Sequence, residues 1–195
     1  MSLGIIVYLD KLSDELIPRI IHRLNNYEMV CEVHPNFSFD DCSNGFVPFK
    51  FQLTNSPFEV LKGKQLISGF EIYIDDFGLK SEKEKLLLEQ SSNSKIVAIK
   101  EDDILFANES IDQKLKWCRK FVSFIWHSTD SFEPRFALLT SAILAELTNG
   151  VRCYPADDNW YDNEDIVENA WQEIKHSEST ISPKDLIFHE FVDWS

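Results

Sequence analysis

Glycine and proline are scarce in this chain of 195 residues, which contains only six and seven of them, respectively. Collagen-like repeats and flexible low-complexity segments need far more of both residues, so neither class fits. Hydrophobic residues make up 44% of the chain, which is enough to form a core and argues against disorder. The length suits one large domain or two small ones.

Long apolar runs are also missing, because no segment approaches the roughly 20 residues that cross a bilayer. The N-terminal MSLGIIVYLD lacks the basic region and extended apolar stretch of a secretory signal and instead predicts a strand. The four cysteines, Cys31, Cys42, Cys118 and Cys153, form no C-x-x-C pair and have no histidine at zinc spacing. We therefore expect a cytoplasmic protein with reduced, buried thiols, no membrane partner and no metal or other cofactor.

Positive charge is in deficit, since 19 Lys and Arg stand against 33 Asp and Glu, giving a net charge of −14. Such a surface repels phosphate, so nucleic acid is not an expected partner. It attracts a basic protein, although solubility alone also explains an acidic composition. The deficit is greatest in residues 151–195, where eleven acidic and three basic residues give −8. The preceding 150 residues carry −6, from 22 acidic and 16 basic residues.

Hydrophobic periodicity predicts an α+β fold. Strand-like segments are LGIIVYL, YEMVCEVHP, FVPFKFQL, SGFEIYIDD, FVSFIWHS and VRCY, with KIVAIK and DILFAN expected to form a hairpin. Predicted helices are one starting near Ser13, LKSEKEKLLLEQSSNS, IDQKLKWCRK, EPRFALLTSAILAELT and one with the apolar stripe Ile166, Val167, Ala170, Trp171 and Ile174. We expect a single domain over 1–195, with a mixed, largely antiparallel sheet and helices mainly on one face. The Ser/Asn-rich residues 91–94 are the one candidate internal boundary.

The acidic segment CYPADDNWYDNEDIVENAWQEIKH invites comparison with an EF-hand loop. Counting from Asp157, acceptable ligands fall at positions 1, 3, 9 and 12. Position 5 is Tyr161, however, and position 6 is Asp162, where the sharp turn requires glycine. We predict no EF-hand, and weak binding of a divalent ion is left open.

Helix chemistry explains part of the same segment. Asp162 or Asn163 can cap a helix, and Glu164 and Asp165 fall in its first turn, where the helix dipole favours negative charge. The remaining PADDNWYD is predicted to be an exposed loop. Its carboxylates Asp157 and Asp158, together with Trp160, Tyr161 and Asp162, have the character of a protein-binding patch, because aromatic residues are enriched at interface hot spots. The alternative for both aromatics is packing back onto the sheet.

His127 is the titratable residue most suggestive of catalysis. It follows a predicted strand, and Asp130 stands at the start of the next helix, where sites often form. Together with Ser128 or Cys153, the pair His127–Asp130 could activate a nucleophile. The same Asp130 is also the natural helix cap, and no lipase-type elbow, phosphate loop, dinucleotide fingerprint or zincin motif accompanies the pair.

We therefore expect a non-catalytic, cytoplasmic protein-binding module whose acidic C-terminal surface engages a basic partner, as an inhibitor or immunity-type protein does. One alternative is a small hydrolase with its site around His127 and Asp130. Another is an oligomeric structural component whose phenylalanine-rich strands bury against a second copy. The sequence leaves the partner's identity and the oligomeric state open.

Overall fold

The structure is a computed structural model that describes residues 3–93, 104–127, 129–162 and 164–194. Its strands are β1 (Leu3–Leu9), β2 (Met29–Val33), β3 (Asn44–Leu53), β4 (Leu66–Asp76), β5 (Lys120–Trp126), β6 (Val151–Tyr154), β7 (Asn159–Tyr161) and β8 (His189–Glu190). Its helices are α1 (Leu16–Leu24), α2 (Leu79–Asn93), α3 (Glu109–Leu115), α4 (Glu133–Thr148) and α5 (Ile166–Thr180), with a 3-10 turn at Glu59–Leu61. None of the described helices has the length and apolarity needed to cross a membrane.

The strands form one open sheet in the order β2-β3-β4-β5-β1-β6-β7, and the short β8 pairs with the start of β4. Every described strand pair is antiparallel. The expected α+β class, with a largely antiparallel sheet and helices mainly on one face, is confirmed. The edge strand β2 is partly protected, because the Asn25 side chain accepts a hydrogen bond from the outward-pointing Cys31 N–H at 2.7 Å.

Helices α1, α4 and α5 cover one face of this sheet, and α4 lies at their centre. Residues 135–145 of α4 are buried without interruption, because the helix packs against the sheet, α1 and α5 at once. The phenylalanines of the strands meet it, as Phe49 stacks on Phe136 at 4.6 Å between ring centroids. Burial of each such ring stabilises the fold by about 1.5–3 kcal/mol. The inward-facing phenylalanines of β3, β4 and β5 thus lie in the core of a single chain.

The opposite face of the sheet is covered only in part, by α2, α3 and the segment before α3. Tyr8 of β1 is the centre of this second core, surrounded by an aromatic group that we call the Tyr8 cluster: Tyr8, Phe77, Phe106, Phe121 and Trp160. Asp112 of α3 ties the region together, because its carboxylate accepts the N–H groups of Phe106 and Ala107 and pairs with Lys83 of α2 at 2.7 Å.

A buried arginine fixes the helices to each other. The guanidinium of Arg135 in α4 makes a bidentate pair with Glu178 of α5, with N–O distances of 2.7 and 2.6 Å. It also donates to the carbonyl of Tyr27, which follows α1, and lies over the Trp171 ring. The buried guanidinium is therefore paired with a carboxylate and hydrogen-bonded to a carbonyl, as a buried cation requires.

The predicted helix ends are partly right. Asn149 ends α4 with a φ of 51°, the left-handed stop expected of Asn149–Gly150. The start of α1 was predicted at Ser13, whereas the helix begins at Leu16 without a side-chain cap. The neighbouring Asp14 accepts N–H groups from Phe39 and Asp40 instead, so a distant loop takes the carboxylate that could have capped the helix.

Two further expectations concern the segment between α2 and α3. The proposed hairpin of KIVAIK with DILFAN lies mostly outside the described residues, and residues 104–108 are not in a strand. Asn108 instead caps α3 by accepting the Ile111 N–H. Residues 91–93 of the suggested internal boundary belong to α2, and residue 94 lies outside the described part.

Two strand glycines differ sharply in the space around them, which predicts a difference in stability. A Cβ at Gly69 would lie 2.1 Å from the carbonyl oxygen of Val47, whereas one at Gly4 would meet its nearest atom at 3.7 Å. We expect Gly69→Ala to lower the free energy of unfolding by about 2–3 kcal/mol, because backbone must move. Gly4→Ala is the matched control and should change it by less than about 1 kcal/mol. Denaturant unfolding of both variants measures this; equal effects would contradict the tight approach of β3 to β4.

Candidate functional site

The segment predicted to be an exposed loop is a β-hairpin. Residues 155–158 turn the chain between β6 and β7, and Asp158 adopts a left-handed φ of 52°. The pairing of Cys153 with Trp160 sets the register. Asp157 and Asp158 are therefore displayed on a tight turn at the edge of the sheet and not on an irregular loop.

The two aromatic residues of the hairpin are half-buried. Trp160 stacks on Tyr8 with ring centroids 5.7 Å apart and meets Phe106 edge-on. Its indole N–H donates to the Asp158 carboxylate at 2.8 Å, which holds the turn. Tyr161 contacts the ring of Tyr154. Both residues thus pack back onto the sheet, and the edges they leave exposed lie beside the acidic turn.

Six carboxylates surround the hairpin and the start of α5, and we call them the acidic surface: Asp157, Asp158, Asp162, Glu164, Asp165 and Glu168. Asp162 pairs with Lys114 of α3 at 3.0 Å. The other five are exposed and have no cationic partner within the described part of the chain. Uncompensated carboxylates attract positive charge, so this part of the molecule carries a negative potential.

The helix chemistry expected of these residues is present in part. Asp165 occupies the N-cap of α5 in place of the predicted Asp162, and Glu168 lies in the first turn. Asp162 is engaged by Lys114, and Asn163 lies outside the described residues. All five members of the predicted apolar stripe of α5 are buried.

A pocket of about 130 Å³ opens beside the acidic surface at the C-terminal end of α4. Its lining includes the carboxylates Glu146, Asp162 and Glu164. Glu146 pairs with Arg23 of α1 and Asp162 with Lys114, which leaves Glu164 without a cation. The end of a helix also carries partial negative charge on its last carbonyls. The pocket thus suits a positively charged group.

A buried polar network lies beneath this surface, and the sequence did not reveal it. Arg152 of β6 is only 2% exposed and donates to the hydroxyls of Ser141 and Tyr154. Tyr154 in turn donates to Glu173 of α5 at 2.7 Å. The one signal in the sequence was a charged residue inside the apolar run VRCY. The network joins β6, α4 and α5 and so supports the acidic surface from below.

The residues suggested for catalysis have separate partners. The His127 imidazole lies 3.7 Å from Glu71 on the side of the sheet away from α4, and its backbone N–H donates to Glu133. Asp130 accepts the Phe132 N–H, and burial raises the pKa of its carboxyl. No hydrogen bond or ion pair joins His127 to Asp130 among the described residues, and Ser128 lies outside them.

Metal ligands are not gathered anywhere in residues 3–93, 104–127, 129–162 and 164–194: no group of three or more His, Cys, Asp or Glu is arranged to hold an ion there. The carboxylates that matched positions of an EF-hand loop are among the residues that form no such group.

One strongly exposed tryptophan was not identified from the sequence. Trp117, in the turn between α3 and β5, is 74% exposed. It stands in the segment KLKWCRK, which is basic within a strongly acidic chain. That local reversal of charge around a tryptophan is the signal that could have identified it.

We found no match for the chain among protein-family models, curated proteins or solved structures. The site is therefore interpreted from its own geometry.

The cysteines differ in burial, and this predicts a difference in reactivity. Burial raises the pKa of Cys31 and Cys153 to about 12 and that of Cys118 to about 11, whereas Cys42 is only half-buried. The thiolate is the reactive form, and burial also hinders the reagent. At pH 8 the three buried thiols should therefore react at least about tenfold more slowly than Cys42, although burial raises the pKa of Cys42 as well. Alkylation with iodoacetamide followed by peptide mapping measures this. Cys42→Ser should abolish the fast phase, and fast labelling of Cys153 would show that the hairpin does not cover it.

Proposed function

We propose that this protein is a binding protein that engages a basic protein through its acidic surface. The observation that carries the proposal is the set of five exposed carboxylates without a cationic partner among the described residues, gathered around one hairpin and one helix start. Complementary charge on the partner would accelerate the encounter and orient it.

The support beneath the surface favours recognition over mere solubility. Stacking of Trp160 on Tyr8, the Lys114–Asp162 pair and the Arg152 network hold the hairpin and α5 in place. A rigid surface loses little conformational entropy on binding, so more of the interaction energy becomes affinity. Carboxylates that serve only solubility need no such fixed positions.

The pocket at the end of α4 supplies a specific contact. A lysine or arginine side chain of the partner would enter between Glu146, Asp162 and Glu164 and reach the partial negative charge of the helix end. Buried arginines are enriched at interface hot spots, so an arginine of the partner would suit this pocket. An inhibitor or immunity-type protein acting on a cationic toxin would use a surface of this kind. The hydrolase alternative is less well supported, because His127 and Asp130 have separate partners among the described residues.

Capture of partners from the source cells tests the proposal. The bait is the wild-type chain, a variant with Asp157→Asn, Asp158→Asn and Glu164→Gln, or a control with Glu15→Gln, Asp41→Asn and Asp185→Asn. Both variants lose three exposed negative charges, but the control loses them outside the acidic surface. We expect one basic protein in stoichiometric amount at about 50 mM salt, with less at about 200 mM, where screening is stronger.

The affinity of the captured protein is then measured for all three baits. Surface ion pairs contribute about 0.2–1 kcal/mol each, so three neutralisations should weaken binding roughly tenfold. The control should bind as the wild type does. Equal binding by both variants would show that the acidic surface does not take part in the interaction. The absence of any specific partner would contradict the binding function itself.

A further inference from the structure

Trp117 is exposed on a rigid support. Its backbone N–H donates to the Lys114 carbonyl, and the next two N–H groups donate to Leu115 and to Leu9 of β1. Cys118, directly beside it, is buried in the second core. The indole makes no ring contact and no hydrogen bond within the described part of the chain. A tryptophan whose backbone is held in this way suits an interface anchor, because only the two torsions of its side chain would become ordered on binding.

Positive charge flanks the indole on both sides. Lys116 and Arg119 are exposed, and neither has a carboxylate partner among the described residues. Arg119 donates to the carbonyls of Lys116 and Cys118, which fixes its guanidinium beside the end of α3. We call Lys116, Trp117 and Arg119 the basic–aromatic patch. Tryptophan and arginine are the residues most enriched at hot spots.

We propose that the basic–aromatic patch docks on the acidic surface of a second copy of this chain, forming a two-fold symmetric dimer. The charges are complementary, because the patch has two cations without carboxylates and the acidic surface has five carboxylates without cations. The indole would pack on the hairpin of the second copy, where Pro155 and Ala156 are exposed and Trp160 and Tyr161 half-exposed.

The positions of the two surfaces suit such symmetry. Lys114, three residues before Trp117, is paired with Asp162 of the acidic surface, so the two surfaces are neighbours on one side of the molecule. A two-fold axis between them would bring the patch of each copy to the acidic surface of the other and form both contacts at once. The interface would then close, leaving no free half to propagate a filament.

The net charge of −14 does not preclude this association. At physiological ionic strength the Debye length is about 8 Å, so charges spread over the rest of the two molecules are largely screened from each other. The charges inside the contact are closer than this distance, and they decide the sign of the interaction. An acidic protein can therefore associate through a locally complementary surface.

Sedimentation velocity of the chain alone tests the proposal and does not depend on any other partner. In about 0.15 M salt we expect a reversible monomer–dimer equilibrium between about 5 and 500 µM. Trp117→Ala should weaken the dimer at least about 30-fold, the effect of removing a hot-spot side chain. Circular dichroism and thermal unfolding would verify that each variant is folded.

Charge exchange makes the test specific. One variant carries Lys116→Glu and Arg119→Glu. The other carries Asp157→Lys, Glu164→Lys and Asp165→Lys, so that the new lysines outnumber the two remaining carboxylates that have no cationic partner among the described residues. Neither should dimerise alone, because like charges would meet, but an equimolar mixture should form a heterodimer in which every contact is again complementary. Arg19→Glu with Lys184→Glu is the matched control for the first variant, since it lowers the net charge by the same amount at exposed residues outside both surfaces, and it should dimerise as the wild type does.

A wild-type chain that stays monomeric up to about 500 µM would overturn the proposal, since it would place the dissociation constant well above the micromolar range. A dimer that Trp117→Ala and both charge variants leave intact would overturn it equally, because another surface would then mediate association. Neither result would affect the binding of a basic protein to the acidic surface, so the two proposals fail separately.

Discussion

Strand β1 is covered on both of its faces, and the position of the other elements depends on this. Ile5, Val7 and Leu9 lie in the core beneath α4, while Tyr8 points to the opposite side of the sheet. An antiparallel sheet commonly leaves one face to water. Here the large ring of Tyr8 requires a second cover, which α2, α3 and the hairpin provide. Because β6 pairs directly with β1, the β6–β7 hairpin is brought over Tyr8, and the acidic turn is fixed at that edge.

Much of the fold could be predicted, because alternating and helical patterns report burial directly. Strand β1, the strand β6 and the stripe of α5 were all correctly identified from such patterns. Features that depend on distant partners were missed. The start of α1 was misplaced because Asp14 binds the loop at Phe39 and Asp40. The three-residue strand β7 was read as a loop, since its stability comes from β6 and from a tyrosine about 150 positions away.

The candidate site also combines features that local sequence patterns predict with features that depend on distant partners. Counting charges located the acidic region correctly, but a count cannot show which carboxylates have partners. Glu178 is bound to Arg135 and belongs to the core, while Asp157 and Glu164 have no cation among the described residues. The difference lies in contacts across more than 40 positions, such as Arg135 with Glu178 and Lys114 with Asp162. For this reason the part of the charge that lacks cationic partners among the described residues is smaller than the composition suggests.

The Lys114–Asp162 pair places opposite charges side by side and so restricts what can bind. A uniformly basic partner would be attracted by the five carboxylates that have no cationic partner among the described residues, but repelled by Lys116 and Arg119 if it extended over α3. Repulsion of this kind excludes orientations and competitors that attraction alone would allow. A basic partner must therefore either stay on the hairpin and α5 or carry an acidic group opposite Trp117. A second copy of this chain is not basic overall, but it would place acidic groups opposite Trp117. Dimerisation and capture of a basic protein would therefore compete for the same carboxylates, and each would lower the apparent affinity of the other.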